Sequence, residues 1–480
     1  MKGLFKEQPK AFSLIFMLEL WERFGFYTVN AILAFYFVHQ LGLSEEQAFY
    51  TFGAYSSLVY GLVSLGGFIG DKVLGTKRTI LIGLIVLCIG YLSLSLASGH
   101  TIFLALGIIA VGNGLFKANP SSLLSKCYEP NDSRLHGGFT LYYMAINVGS
   151  VFAILLAPFI MERFGWSAAF FISFLGLFSA VINFLYQRKT ITDISTGADC
   201  DPLCFKRLYS VIVGVILFSF ICAYLLQHIL ITEIILVAVI AIVTSLFFYY
   251  LKQETGSARL KMWVAFILMI EGVVFFTLYQ QMPTSLNFFA IHHVRPYIFG
   301  YYINPQSFQV FNPIWIMLLS PLLASWYRRQ HSKDSDMSVA HKFAFGMTLC
   351  GMSFLSLYFT RFFADATNQV SSLWLVLSYF FQSFGELFIS ALGVAMVAEL
   401  VPPAISGFIM GMWFLTSASA GFIGAFVASM TKAPVGITIG YETLNLYSMV
   451  FLKIGLITCC LAVLMWMIAP RLSRIISSSS

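Results

Sequence analysis

Charge is what this sequence has least of. Aspartate, glutamate, lysine and arginine make up 10% of its 480 residues, where a soluble domain carries about 25%. With 59% of the chain hydrophobic, that scarcity excludes a soluble globular protein and indicates a membrane protein. A metal centre is not expected. The eight cysteines are scattered and form two close pairs, Cys200 with Cys204 in a polar loop and Cys459 with Cys460 in an apolar run. Neither pair has histidines at zinc spacing, so reduced, structural thiols are the favoured reading. His292 and His293 are adjacent, share no helix face and fall in an outer loop. No intramembrane serine–histidine or paired-aspartate arrangement is evident, so the chain is not expected to be an enzyme. No cleavable signal pattern is visible: the first apolar run is too long and lacks a small-residue cleavage site, so it is expected to be retained as a span.

What is present is a series of apolar stretches of membrane length. They fall near 12–38, 49–70, 79–98, 102–126, 137–160 and 166–187, then 208–226 and 230–251. A last set lies near 262–282, 308–328, 341–361, 372–396, 406–430 and 446–469, fourteen in all. With the N-terminus inside, the outer side holds only Arg163, Arg295, Arg361 and Lys432, and the other loop cations lie inside. Both termini are therefore expected in the cytoplasm, in a multi-pass protein of the inner membrane.

The polar segment 188–207 is the clearest internal boundary. With the apolar pair after it, it separates six spans from six, a layout common among secondary transporters. The expected organisation is an all-α membrane protein. It has an N-terminal bundle over 1–190, a linker with an inserted helix pair over 191–261 and a C-terminal bundle over 262–480.

A second break, Gly66-Gly67-Phe68-Ile69-Gly70-Asp71-Lys72-Val73-Leu74-Gly75-Thr76-Lys77-Arg78, joins spans two and three. Glycines permit a tight turn and close helix approach, and Asp71 can accept from a helix N-terminus or pair with a cation. As a bare pattern this is compatible with an ordinary turn. It also resembles the loop signature of the major facilitator superfamily, in which Gly67, Asp71, Gly75 and Arg78 would serve conformational change.

Charges inside spans carry the chemistry. Glu19, Glu22 and Arg23 sit at i, i+3 and i+4 of the first span and share one helix face. Each costs roughly 2.5–3.5 kcal/mol at the centre of a span, which points to a proton-handling site. Lys117, Glu271 and Glu386 lie in spans four, seven and ten. Snorkelling of Lys117 to an interface and a packing role for Glu386 are alternatives, and for Glu271 the structural and functional readings stand level. The setting GNGLFKANP, with Gly112, Gly114, Asn119 and Pro120, would open the helix around Lys117 to a cavity. Tyr27, Asn30, Tyr60, Tyr142, Tyr143 and Asn147 in the first half, with Tyr279, Gln280, Asn312 and Trp413 in the second, are candidate cavity residues. Singly, aromatics in spans are more often packing or belt residues.

EL-WERFGFY, GNGLFKANPSSLL, FTLYYMAINVGS and FGELFISALG together resemble the signatures of the proton-dependent oligopeptide transporters. QMPTSLNFFA brings the chain nearest to the bacterial di- and tripeptide permeases among them. The resemblance implies the major facilitator fold with fourteen spans and proton-coupled import of di- and tripeptides. Protons would be the coupling ion, with no cofactor. It implies proton coupling at Glu19, Glu22, Arg23 and Lys117. Lys117 would also take the peptide carboxylate, and Glu386, helped by Asn147 and Asn312, the peptide N-terminus. Tyr27, Tyr60 and Tyr143 would surround the peptide. Membrane lipid and peptide-like drugs are further expected partners, nucleic acid is not, and a monomer is expected to function. The sequence departs from the family at Asn30, where many members have arginine, and in span seven, where their lysine has no counterpart. Transport of another zwitterion or anion, such as an amino acid, is the alternative.

Overall fold

Among the described residues of the computed structural model (8–129, 132, 134–194, 197–331, 337–402, 405–433 and 439–477), nearly all of the chain is helical. The first unit contains α1 (Lys10–His39), α2 (Glu45–Val73), α3 (Thr76–Leu96) and α4 (Thr101–Ser125). A run from Arg134 to Gln187 follows, which Gly165, at φ 84°, divides into α5 (134–164) and α6 (166–187). Next come α7 (Phe205–Gln227), α8 (Ile229–Gln253) and α9 (Gly256–Tyr279). A short α10 (Ser285–His293) and a two-stranded hairpin, β1 (Tyr297–Ile298) with β2 (Tyr301–Tyr302), lead to α11 (Phe311–His331). The chain ends with α12 (Val339–Phe359), α13 (Leu373–Leu400), α14 (Ser406–Ser429) and α15 (Tyr441–Ser477). His292 and His293 therefore end a helix rather than lie in a loop.

Eleven of the described helical stretches are long and apolar enough to cross a membrane, one of them the double-length 137–191 run. α1, at 30 residues, is long enough but carries Glu19, Glu22 and Arg23 in its interior. α13, at 28 residues, has an apolar core over Leu373–Ile389. The order of helices is thus the expected six, two and six. The last span is longer than its apolar core because α15 continues to Ser477 through the basic turn with Arg471 and Arg474.

By packing, the chain forms two units, Met1–Gly42 with Ala54–Thr232, and Leu43–Gly53 with Glu233–Ser480. The two helices of the inserted pair have different allegiances. α7 packs on α4 so closely that a Cβ at Gly107 would meet the Ser219 carbonyl oxygen at 2.5 Å. α8 packs on α9 through Phe247 and Phe266, whose ring centroids are 5.2 Å apart.

In the first unit α1 lies against α5 and α6. Gly149 of α5 makes this possible, since a Cβ there would meet the Leu20 carbonyl oxygen at 2.5 Å. The close approach of the two backbones falls at the charged turn of α1, and this placement builds the site.

Candidate functional site

The charged turn of α1 is closed in on itself. Glu19, Glu22 and Arg23 are each 5% exposed or less. The Arg23 Nε and Nη2 groups donate to both oxygens of Glu22, Nη2 reaching Oε1 at 2.5 Å. This forked geometry is the strongest a guanidinium makes with a carboxylate. Arg23 Nε also stands 3.5 Å from Glu19 Oε1. The other Glu19 oxygen accepts a hydrogen bond from the Tyr142 hydroxyl at 2.6 Å. One cation thus serves two carboxylates, which leaves the turn with an excess negative charge when both are ionised.

Lys117 stands nearby without an ion pair. Its Nζ lies 4.0 Å from the Tyr60 ring centroid and 5.5 Å from that of Phe26, whose ring also lies 4.7 Å from Arg23 Cζ. Among the described residues no carboxylate comes within 4.0 Å of Lys117. Aromatic faces stabilise a desolvated cation by about 2 kcal/mol, which holds the ammonium without neutralising it. The GNGLFKANP segment interrupts the helix at Lys117. The first helix of α4 ends at Lys117, and a second begins at Asn119 with Pro120 in its first turn. Asn119 fastens the break by donating to Gly66 O at 3.2 Å and Leu115 O at 2.6 Å.

Of the two adjacent tyrosines that the sequence offers as cavity residues, Tyr142 is the one whose hydroxyl meets Glu19. The signal was in the chain: Tyr142, Ala145 and Gly149 are spaced i, i+3 and i+7, one helix face. Gly149 marks that face as the one against α1. Tyr143 is half-buried, and its carbonyl oxygen accepts from Asn147 Nδ2 at 2.8 Å, so that amide nitrogen serves its own helix. Tyr27 and Asn30 are half-buried on α1, beyond the charged turn. The Tyr27 ring meets Phe26 edge-on at 5.3 Å.

The second unit holds a simpler constellation. Glu386 of α13 is 8% exposed, and its Oε2 accepts from Asn312 Nδ2 at 2.8 Å. The same nitrogen lies 3.0 Å from Ser383 Oγ, one turn before Glu386. Among the described residues no lysine or arginine pairs with Glu386. Tyr279 and Gln280 lie at the end of α9, Tyr279 half-buried and Gln280 buried. Trp413 is a packing residue by its surroundings. Its indole is 5.8 Å from the Phe276 ring, and a Cβ at Gly272 or Gly393 would collide with it. Glu271 is half-buried in α9, and its Oε2 has no hydrogen-bond partner among the described residues.

The loop residues Gly67, Asp71, Gly75 and Arg78 frame a clamp on the interbundle linker. Gly75 adopts φ 97°, which favours glycine. Lys77 Nζ donates to the carbonyls of Ile191, Thr192 and Ile194 at 3.1–3.4 Å. Arg78 reaches Asp201 O at 2.8 Å. Asp71 is exposed and does not cap the helix. That carboxylate is Asp199, whose Oδ2 accepts from Lys77 N at 3.2 Å. Partial burial pushes the Asp199 carboxyl above its usual range, opposed by the hydrogen bond from Lys77 N.

The chain is similar to known proteins along nearly its whole length. A model of the POT family matches residues 77–444. The dipeptide and tripeptide permease B of Yersinia enterocolitica is 51% identical over 477 residues, covering 99% of this chain and 97% of that protein. Its namesake from Salmonella typhimurium is 50% identical over 474 residues, covering 98% and 97%. Among solved structures, a bacterial homologue of the human drug peptide transporters PepT1 and PepT2 superposes with a TM-score of 0.87 at 33% identity, covering 97% of this chain and 99% of that one. A structure described for substrate recognition in proton dependent oligopeptide transporters gives 0.85 at 34% identity, covering 97% and 99%.

Proposed function

The chain belongs to the POT family, with its two six-helix bundles and inserted helix pair, and from that premise we propose that it is a proton-coupled symporter importing di- and tripeptides. The observation that carries the reading is near-full-length identity of about half to permeases named for those substrates. The residues supply a physical account. A short peptide carries an ammonium at one end and a carboxylate at the other. Lys117, a cation held by aromatic rings rather than by a counter-ion, is free to take the carboxylate. Glu386, oriented by Asn312 and without a paired lysine or arginine among the described residues, takes the ammonium. Tyr27, Asn30, Tyr60, Tyr143 and Asn147 of the first unit, and Tyr279 and Gln280 of the second, are the further residues that contact the peptide, directed at its backbone rather than at one side chain.

The coupling ion is the proton, and the site needs no cofactor. Protonation of Glu22 or Glu19 removes the reason for Arg23 to stay, and the released guanidinium and Lys117 rearrange to permit occlusion. Deprotonation towards the cytoplasm resets the pair. One proton moving inward supplies about 2.3 kcal/mol per 100 mV. Gly67, Asp71, Gly75 and Arg78 form the loop that adjusts during the change of state. The protein acts as a monomer in the inner membrane with both termini in the cytoplasm, and peptide-like drugs share the site. The test is competition in proteoliposomes under an imposed pH gradient. Di- and tripeptides are expected to block uptake. If single amino acids block it and peptides do not, the substrate assignment fails in favour of another zwitterion.

A further inference from the structure

Lys453 is a charge within a span that the transport mechanism does not use. It lies in α15 twelve residues after Tyr441, about 18 Å along the axis at 1.5 Å per residue. The residue is exposed. Its neighbours at i−4, i+3 and i+4 share its face, and these, Met449, Leu456 and Ile457, are 38%, 50% and 62% exposed. Charged side chains within membrane spans almost always face the bundle interior, because acyl chains solvate them poorly. Lys453 instead sits on the surface that the bilayer covers. Among the described residues no carboxylate pairs with it.

A second cation stands one turn nearer the start of α15. Arg361 lies in the short turn Thr360–Phe363 that follows α12. Its Nη1 donates to Asn445 Oδ1 at 2.8 Å and lies 3.5 Å from Met449 Sδ. Its Cζ is 4.9 Å from the Tyr358 ring centroid and 4.7 Å from that of Phe362. Lys453 follows Met449 by one turn on the same face. Helical side chains lean towards the N-terminus of their helix, which aims Lys453 back at Met449 and Arg361. Close packing fixes this seam: a Cβ at Gly455 of α15 would meet Leu355 N of α12 at 3.0 Å. The acidic residues at this end supply no counter-ion. Asp365 is paired with Arg295, and Glu442, exposed in the first turn of α15, pairs with neither cation among the described residues.

Two cations gathered at one patch repel each other unless an anion joins them. On a membrane-facing surface that anion needs apolar tails to cover Met449, Leu456 and Ile457. We propose that Arg361 and Lys453 bind the phosphate of an anionic phospholipid, whose acyl chains run along the exposed face of α15. Arg361 offers its remaining N–H groups to the phosphate oxygens, and Lys453 reaches them from below as a point charge. A headgroup of net negative charge is favoured over a zwitterionic one, because the ammonium of phosphatidylethanolamine would bring a third cation to the patch.

Photolabelling of the full chain in nanodiscs tests the site. Phosphatidylglycerol or phosphatidylethanolamine with a diazirine in the acyl chain is added in trace amount, and labelled peptides are counted. α8 supplies the background of bulk lipid, since Val237 and Ile242 are 58% and 60% exposed and no lysine or arginine precedes Lys252 in that helix. Relative to α8, α15 is expected to take more of the phosphatidylglycerol label than of the phosphatidylethanolamine label. Lys453→Leu suits a lipid-facing position and should lower the phosphatidylglycerol labelling of α15 about fivefold, the worth of one cation near the membrane surface. Lys453→Arg keeps the charge and should keep the labelling. Equal labelling by the two lipids in wild type overturns the site, and so does phosphatidylglycerol labelling that survives Lys453→Leu or disappears in Lys453→Arg. An α15 shielded from both lipids would put a protein on this face, such as a second copy of the chain, and would also overturn it.

Discussion

The two units solve the problem of buried charge in opposite ways. In the first, Arg23 is shared between Glu22, through a forked ion pair, and Glu19, which also accepts from a phenol, with Lys117 held apart on aromatic faces. In the proposed mechanism a proton arriving here changes which partner each group keeps. In the second, the donor to Glu386 among the described residues is the amide of Asn312. A buried carboxylate with hydrogen bonds but no counter-ion is a place prepared for a cation from elsewhere. On the function proposed above, the contrast gives the coupling ion to one unit and the substrate ammonium to the other.

That assignment can be broken most readily at Glu386. Glu386→Gln keeps the shape and removes the charge, and both proton-driven uptake and counterflow should fall about 100-fold, the effect of truncating one side of a buried charge pair. Counterflow at wild-type rates would erase the difference between the units. Asn312→Ala leaves the carboxylate but frees its orientation. Loss of one hydrogen bond to a charged group costs about 1.5–3 kcal/mol, so peptide affinity in a competition assay should weaken at least about tenfold.

Tyr142→Phe removes the donor to Glu19 and belongs to the first unit alone. Proton-driven uptake should drop severalfold with its pH profile displaced, while counterflow stays within about twofold of wild type. A matched loss of both modes would place Tyr142 with the substrate instead.

The smallest effect is expected outside the spans, at the clip between Arg295 and Asp365, which lie 2.6–2.9 Å apart. Hydrogen bonds from the Thr367 hydroxyl and Gln369 N, with Arg295 beside them, hold the Asp365 carboxyl well below the usual carboxylate range. A depressed value means that the clip is fully formed above the ordinary carboxylate value, near 4, and is lost only as pH falls through the lower folded value. Asp365→Asn should therefore leave the pH profile of uptake unchanged between roughly pH 5 and 8, with at most a small drop in melting temperature. A displaced profile would place a proton-sensing element outside the first unit.

Much of this was legible in the chain. Span order follows from apolar length, and the charged face of α1 from i, i+3, i+4 spacing. The break at Lys117 follows from glycines before it and Asn119-Pro120 after it. Other features depend on packing that no local pattern encodes. Which of two adjacent tyrosines meets Glu19 is decided by how α5 is rotated against α1, and only Gly149 hints at it. Asp199 caps a helix more than a hundred residues earlier in the chain, a role that local spacing had suggested for Asp71. Trp413 reads as a cavity aromatic in sequence, but Gly272 and Gly393 make the space into which its ring packs.

The central claim, that the first unit couples protons and the second does not, is tested most directly at Glu22 in proteoliposomes. Glu22→Gln should abolish peptide accumulation driven by a pH gradient while peptide-for-peptide counterflow continues within about twofold of wild type, because the proton's 2.3 kcal/mol per 100 mV is no longer harnessed. Gradient-driven accumulation at wild-type levels, with counterflow normal, would contradict it.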